Sequence, residues 1–347
     1  MNLLRPALLA TALVVSLAAC DSGTAPGTAA SGGAQGAPIA VDLPRADSDF
    51  WNSYAKYIPR FAKDSGLNLM TPTNSQNDIA KLVANTQALT SQGAKAIVMA
   101  PQDTGAIATT LAQLEQRKIP VVAVDTRPDK GNVYMVVRAD NRAYGQKACE
   151  FLGAKLGGKG KVIEFQGALS SVNGRDRSEA FAECMSSKFP GITVFAEPTD
   201  WEGAKASAAL QTRLAQHPDI NGIYMQAGGV FLAPTLQLLR TKNLLVPPSD
   251  PKHIFVVSND GIPQEFDAIR KGEIDATVSQ PADLYAKYAL FYAKAAVDGR
   301  TFQPGKTDHG STIVQVRDGL LEDQLPAPLV TKDNVDDSTL WGNQIGK

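Results

Sequence analysis

Short β-branched runs alternate with amphipathic helical patterns along this chain, and the alternation runs through twice. "IAVDL" (39–43), "LNLM" (67–70), "AIVM" (96–99), "VVAV" (121–124) and "VYMVV" (133–137) form a first series of strand candidates. "KVIEF" (161–165), "ITVF" (192–195), "GIYM" (222–225), "IFVV" (254–257) and "ATVS" (276–279) form a second. Between them, "DIAKLVANTQALTSQG" sets Ile79, Leu82, Val83 and Leu89 on one helical face and closes on Gly93, a residue suited to the backbone just past a helix end. "GAIATTLAQLEQRK" and "KASAALQTRLAQH" repeat the pattern. Strand–helix alternation implies parallel sheets covered by helices on both faces. Each series covers about 100 to 140 residues, so the expectation is α/β with two similar doubly wound lobes rather than one large sheet.

The first residues read as an export address. "MNLLRPALLATALVVSLAAC" carries Arg5 and then an apolar run from Ala7 to Ala19, shorter than the roughly 20 residues that span a bilayer. Residues 1–19 are therefore expected to be a signal peptide. Leu17-Ala18-Ala19-Cys20 resembles the lipobox of bacterial lipoproteins, which implies lipidation of Cys20; an ordinary cleavage site that happens to hold a cysteine is the alternative. Residues 20–38, rich in Gly, Ala and Ser, read as a flexible tether. About 310 residues then remain for the lobes. With 34 basic and 35 acidic side chains, nothing points to nucleic acid or to an anionic membrane surface. Beyond Cys20 the chain has only Cys149 and Cys184, either a disulfide of an oxidising compartment or two buried thiols.

Ligands of such sheets lie beyond the carboxyl ends of the strands. Those ends read "PRADSDFW", "DTRPDKG", "QGALSSVNGRDR", "EPTDW", "QAGG", "NDG" and "QPAD". Aromatic rings, carboxylates, arginines and amides converge there. Flat rings cover the C–H faces of a sugar, while Asp, Asn, Gln and Arg meet its hydroxyl rim. Phe50 and Trp51 read as a stacking platform, with buried core as the competing reading.

Taken in order, "DFWNSYAK", "AIVMAPQDTGAIATTLAQLEQRKIPVVAVD", "RADNRAYG", "VIEFQG…GRDRSEAF", "HPDINGIYMQ", "VVSNDGIP" and "GEIDATVSQPADLYAK" resemble the ribose-type (type I) periplasmic sugar-binding proteins of ABC importers, from about Ile39 to Val316. The resemblance implies stacking by Phe50 and Trp51 from the first lobe and by Trp201 from the second. It implies polar contacts from Asp125, Arg177, Asp260 and Gln280, with Thr126, Arg127 and Gln226 beside them. This chain departs from the pattern at Ser48, Thr126, Ala100, Ala227 and Asn259, where several hydroxyl-reading groups are replaced, so ribose is not carried over as the ligand. Chain crossings are expected near 138–140, 279–282 and 308–312. The first lobe is then 39–138 plus 281–309, and the second is 139–280 plus 310–347.

What the resemblance implies is a monomer without cofactor or catalysis, held outside the cell membrane by its lipid anchor. It would close on a sugar or polyol and dock on ABC permease subunits. A sensing subunit for a chemoreceptor or kinase, or a sugar-acting enzyme, are the rivals. Other motifs carry less. "GAKLGGKGK" puts Gly160 where a phosphate loop needs Ser or Thr, and reads as a helix end and turn. His217, His253 and His309 lack metal-ligand spacing. Asp47 and Asp49 form a glycosidase-like pair only on paper, since Asp49 reads as the N-cap of a helix starting at Phe50. Pro59 is expected to kink that helix.

Overall fold

The structure, a computed structural model, describes residues 36–345. The expected signal peptide, Cys20 and most of the expected tether lie outside the described residues.

The first series folds as β1 (Ile39–Leu43), α1 (Asp49–Asp64), β2 (Thr73–Asn74), α2 (Ile79–Ser91), β3 (Ala96–Met99), α3 (Ala108–Gln116), β4 (Val121–Val124) and β5 (Met135–Ala139). Alternate side chains of each strand supply opposite faces, as the pleat requires. Ala40, Ile97, Met99, Val121 and Ala123 pack with Leu82, Leu89, Leu111 and Leu114 of α2 and α3. Ile39, Val41, Val98, Val122 and Val124 face the other way, onto Tyr54 and Ile58 of α1. Each Val, Leu, Ile or Met among them, taken wholly out of water, contributes about 1.5–3 kcal/mol. The strand expected at 67–70 is reduced to a single bridge from Leu69 to Ile39. The pairing passes to Thr73 and Asn74 beyond Pro72, which has no amide hydrogen to give a ladder.

The second series runs α4 (Asn141–Lys155), β6 (Lys159–Gln166), α5 (Val172–Lys188), β7 (Gly191–Pro198), α6 (Gly203–Gln216), β8 (Gly222–Met225), α7 (Gly228–Thr241), β9 (Phe255–Asp260), α8 (Pro263–Lys271) and β10 (Ala276–Ser279). After it come α9 (Ala282–Val297), β11 (Gly305–Lys306), β12 (Thr312–Arg317), β13 (Leu320–Leu325), β14 (Leu329–Thr331) and a 3-10 turn, Trp341–Asn343. Among the described residues the strands form two sheets, ordered β11-β12-β13-β5-β4-β3-β1-β2 and β14-β10-β9-β8-β6-β7. Both are mostly parallel, with antiparallel pairs at β11–β12, β12–β13 and β10–β14. This is the α/β two-lobe architecture.

The chain passes from first sheet to second after Ala139 and returns after Ser279, where α9 packs back onto β3 and β4. The third passage corrects the boundary expected at 308–312. β12 and β13 form a hairpin around Gly319, whose φ of +73° suits the turn, and β13 then pairs in parallel with β5. Residues 310–325 thus extend the first sheet, and the crossing falls at Pro326-Ala327-Pro328.

Cys149 on α4 and Cys184 on α5 are joined, with Cα atoms 6.2 Å apart. Helix α1 starts one residue earlier than expected. Ser48 is its cap, Asp49 lies in the first turn at the positive helix end, and the helix continues through Pro59. Gly157 and Gly158, both at positive φ, follow α4, as a helix end and turn require.

Candidate functional site

Loops at the carboxyl ends of both sheets come together around a small cavity, at the place where ligands of such sheets lie. From the first lobe come Ser48, Phe50, Trp51, Asp125 and Thr126. From the second come Arg177, Trp201 and Asp260, and Gln280 stands at the crossing. These nine expected residues line one space.

Direct bonds join the lobes around it. Asn173 Nδ2 donates to Asp125 Oδ2 at 2.9 Å. Arg45 Nη2 donates to the Trp201 carbonyl at 3.2 Å. Gln264 Nε2 donates to Asp49 Oδ2 at 3.0 Å, and Arg175 pairs with Asp129 at 2.5 Å. The arrangement is closed, so Phe50, Trp51 and Trp201 are only 2, 7 and 7 % exposed. Phe50 and Trp51 serve both readings at once, since they border the cavity and also pack edge-on into core aromatics. Phe50 meets Tyr285 at 6.2 Å, and Trp51 meets Tyr54 at 5.3 Å.

Backbone strain gathers at the polar wall. Asp125, Trp201 and Asp260 have φ of +64°, +60° and +126°, values that cost non-glycine residues energy and persist only where surrounding contacts enforce them. At Asp125 the turn is tight enough for the Thr126 amide to donate to the Val124 carbonyl. The carboxylate is thereby aimed inward.

Three buried polar atoms on the wall lack a partner among the described residues: Asp125 Oδ1, Thr126 Oγ1 and Trp201 Nε1. Such atoms carry a desolvation cost unless something bonds to them. Burial pushes the Asp125 carboxyl above the usual carboxylate range, against the pull of Arg177, Arg138 and a bond from Asn173. Asp260 is pushed up to about 7, again by burial, with Arg177 and the Gly229 amide opposing. Arg177 is already engaged. It donates from Nε to Asn141 Oδ1 at 2.6 Å, from Nη1 to the Gln226 carbonyl, and from Nη2 to Gln280 Oε1 at 2.9 Å. Three of its N–H groups are therefore used internally, and its charge opposes the cost of burying the two carboxylates.

Two expected residues are elsewhere. The chain turns at Asp125, so Arg127 points back along the first sheet to Glu322 on β13 at 3.0 Å and to Asp176 at 3.8 Å. Gln226 lies fully buried beneath the wall, bonded to Glu164, Ser178 and the Gly167 amide. It supports the loop on which the Trp201 ring sits, because Gly167 has no Cβ to meet that ring. Conversely, Arg45, Gln102, Ser171, Asn173 and Val230 line the cavity without having been singled out. Arg45, Ser171 and Asn173 all stand in the strand-end stretches quoted above. Position at a strand end marks a loop, but it does not rank the residues within that loop.

A family model described as "Periplasmic binding protein domain" matches residues 39–301. The chain belongs to this family. Among curated members of the periplasmic binding protein group, the ribose import binding protein of Salmonella typhimurium is 28% identical over 303 residues, covering 87% of this chain and 96% of that protein. The xylitol-binding protein of Mycolicibacterium smegmatis is 24% identical over 330 residues, 94% and 85% of the two chains. Among solved structures, an ABC transporter solute binding protein from Mycobacterium smegmatis with bound glycerol superposes with a TM-score of 0.75. It is 25% identical, covering 86% of this chain and 95% of that one.

Proposed function

We propose that this periplasmic binding protein captures a neutral sugar or polyol between its closing lobes and hands it to an ABC permease, without chemical change to the ligand. The observation that carries this reading is the trio of unpartnered polar atoms, Asp125 Oδ1, Thr126 Oγ1 and Trp201 Nε1, on a cavity walled by three aromatic rings. A hydroxylated ligand supplies donors to the first two, an acceptor to the third and C–H faces to the rings. Two carboxylates, Asp125 and Asp260, stand against two guanidinium groups, Arg45 and Arg177, and both arginines are already bonded to protein groups, so the wall offers no unpaired cation to a sugar acid or a phosphate. The names of the ribose and xylitol relatives agree with a small polyhydroxylated ligand.

Ligand contacts drawn from both lobes favour the closed state over the open one, which is how binding would be signalled to a permease. Cys20 would hold the mature protein at the membrane through lipid, so Cys20→Ala is expected to release it or leave it unprocessed; unchanged membrane partitioning and processing would remove the anchor from the account. The main test is a thermal-shift screen of pentoses, hexoses, polyols and the matching sugar acids. A true ligand at 100 times its dissociation constant stabilises by about 2.7 kcal/mol. Neutral compounds should dominate the hits, and a screen whose only hits are acids or phosphates would overturn the proposal.

A further inference from the structure

The C-terminal tail belongs to the second lobe by its anchors. Arg270 of α8 donates to Asp336 Oδ1 at 2.8 Å, to the Val335 carbonyl at 3.1 Å and to Asn343 Oδ1 at 2.8 Å. Lys332 Nζ returns a bond to the Arg270 carbonyl at 2.7 Å. Gly342 lies so close to the Gly261 carbonyl and the Phe266 ring that a Cβ there would collide with both. The tail is therefore fastened to the second lobe.

Its tryptophan nonetheless reaches the first. Trp341 is 3 % exposed, and its ring meets Phe50 of α1 at 6.1 Å with an interplanar angle of 82°. Phe50 is a cavity wall whose other aromatic neighbours, Trp51 at 5.3 Å and Tyr285 at 6.2 Å, belong to the first-lobe helices α1 and α9. One edge of that wall is thus set by the opposite lobe, from behind, by a residue that does not border the cavity.

We propose that Trp341 is a positioning residue: the tail of the second lobe reaches across to hold the Phe50 ring, so that the cavity wall and the closed arrangement stabilise each other. An edge-to-face contact of this kind lies in the range that shifts a two-state equilibrium measurably.

Closure can be read without any ligand. A Cβ built on Gly229 of α7 would lie 2.7 Å from Ser48 Oγ across the cleft. A Ser48→Cys/Gly229→Cys variant of the full chain, with Cys20→Ser removing the remaining thiol, therefore forms a second disulfide only when the lobes meet. In that background Trp341→Leu, which keeps apolar volume, should slow oxidative trapping by about threefold to tenfold, and Trp341→Phe should restore most of the rate. Adding Phe50→Ala should abolish the slowing that Trp341→Leu causes, because the effect passes through Phe50. A tail that merely staples the second lobe would lower the melting temperature and leave the trapping rate unchanged. That result, or an equal slowing with and without Phe50, overturns the proposal.

Discussion

Glu164 is a fully buried carboxyl beneath the cavity floor, bonded by Gln226 Nε2 at 2.8 Å, with burial pushing it up to about 8. Its unfolded value is about 4.3. Between those two values the folded protein holds a proton that the unfolded chain has lost, so stability falls as pH rises through the window and levels above it. Glu164→Gln removes that dependence. The melting temperature of the variant should decline less than that of the wild type between pH 5.5 and 8.5, and an identical decline would show that Glu164 ionises normally. Few such residues were legible beforehand. The strand-end rule found Asp125, Asp260 and Trp201, because a loop that feeds a ligand site must put polar and aromatic groups there. It misplaced Arg127, because the positive φ of Asp125 turns the next side chains away, and a sequence does not announce a left-handed aspartate.

At the scale of elements, the disulfide fastens α4 to α5, which pack together on one face of the second sheet. Replacing both cysteines with alanine should cost about 2–4 kcal/mol, read by denaturant unfolding. Free thiols in the denatured, natively exported protein would contradict the pairing. The same two helices approach so closely at Gly145 that a Cβ would strike the Arg177 carbonyl, a backbone atom with little room to yield. Gly145→Ala should therefore destabilise by about 1–3 kcal/mol, although alanine is the better helix former; an unchanged unfolding midpoint would mean the helices can separate freely. The internal strands β3 and β4 were readable to the residue because they are continuous apolar runs. β13 was not. Its "LLEDQL" buries Glu322 and Asp323, at 1 and 0 % exposure, which no strand pattern anticipates. They are tolerated because Arg127 and Arg138 face the first, while Tyr292, Ser311 and His309 surround the second. Their partners lie far away in sequence, and the third crossing was misplaced for the same reason.

For the molecule as a whole, the proposed function rests on two lobes meeting over a small cavity. Gly229 marks where they touch: a Cβ there, unless it is bonded across the cleft, would lie only 2.7 Å from Ser48 Oγ and 3.0 Å from the Phe50 amide nitrogen. Gly229→Val should leave each lobe folded yet hold the cleft ajar, seen as a scattering radius that stays at its open value on adding the best ligand of the screen. A radius that contracts as in the wild type would place the meeting point elsewhere. The central claim is that Asp125 and its neighbours hold a neutral polyhydroxylated molecule. Calorimetric titration of wild type and Asp125→Ala with a panel including D-ribose and xylitol tests it most directly. The account predicts one-to-one binding of at least one neutral member, weakened about tenfold to 150-fold in a variant that melts close to wild type, the loss of one charge-assisted hydrogen bond. Binding of equal strength in both proteins, or no neutral sugar or polyol bound by the wild type, would contradict it.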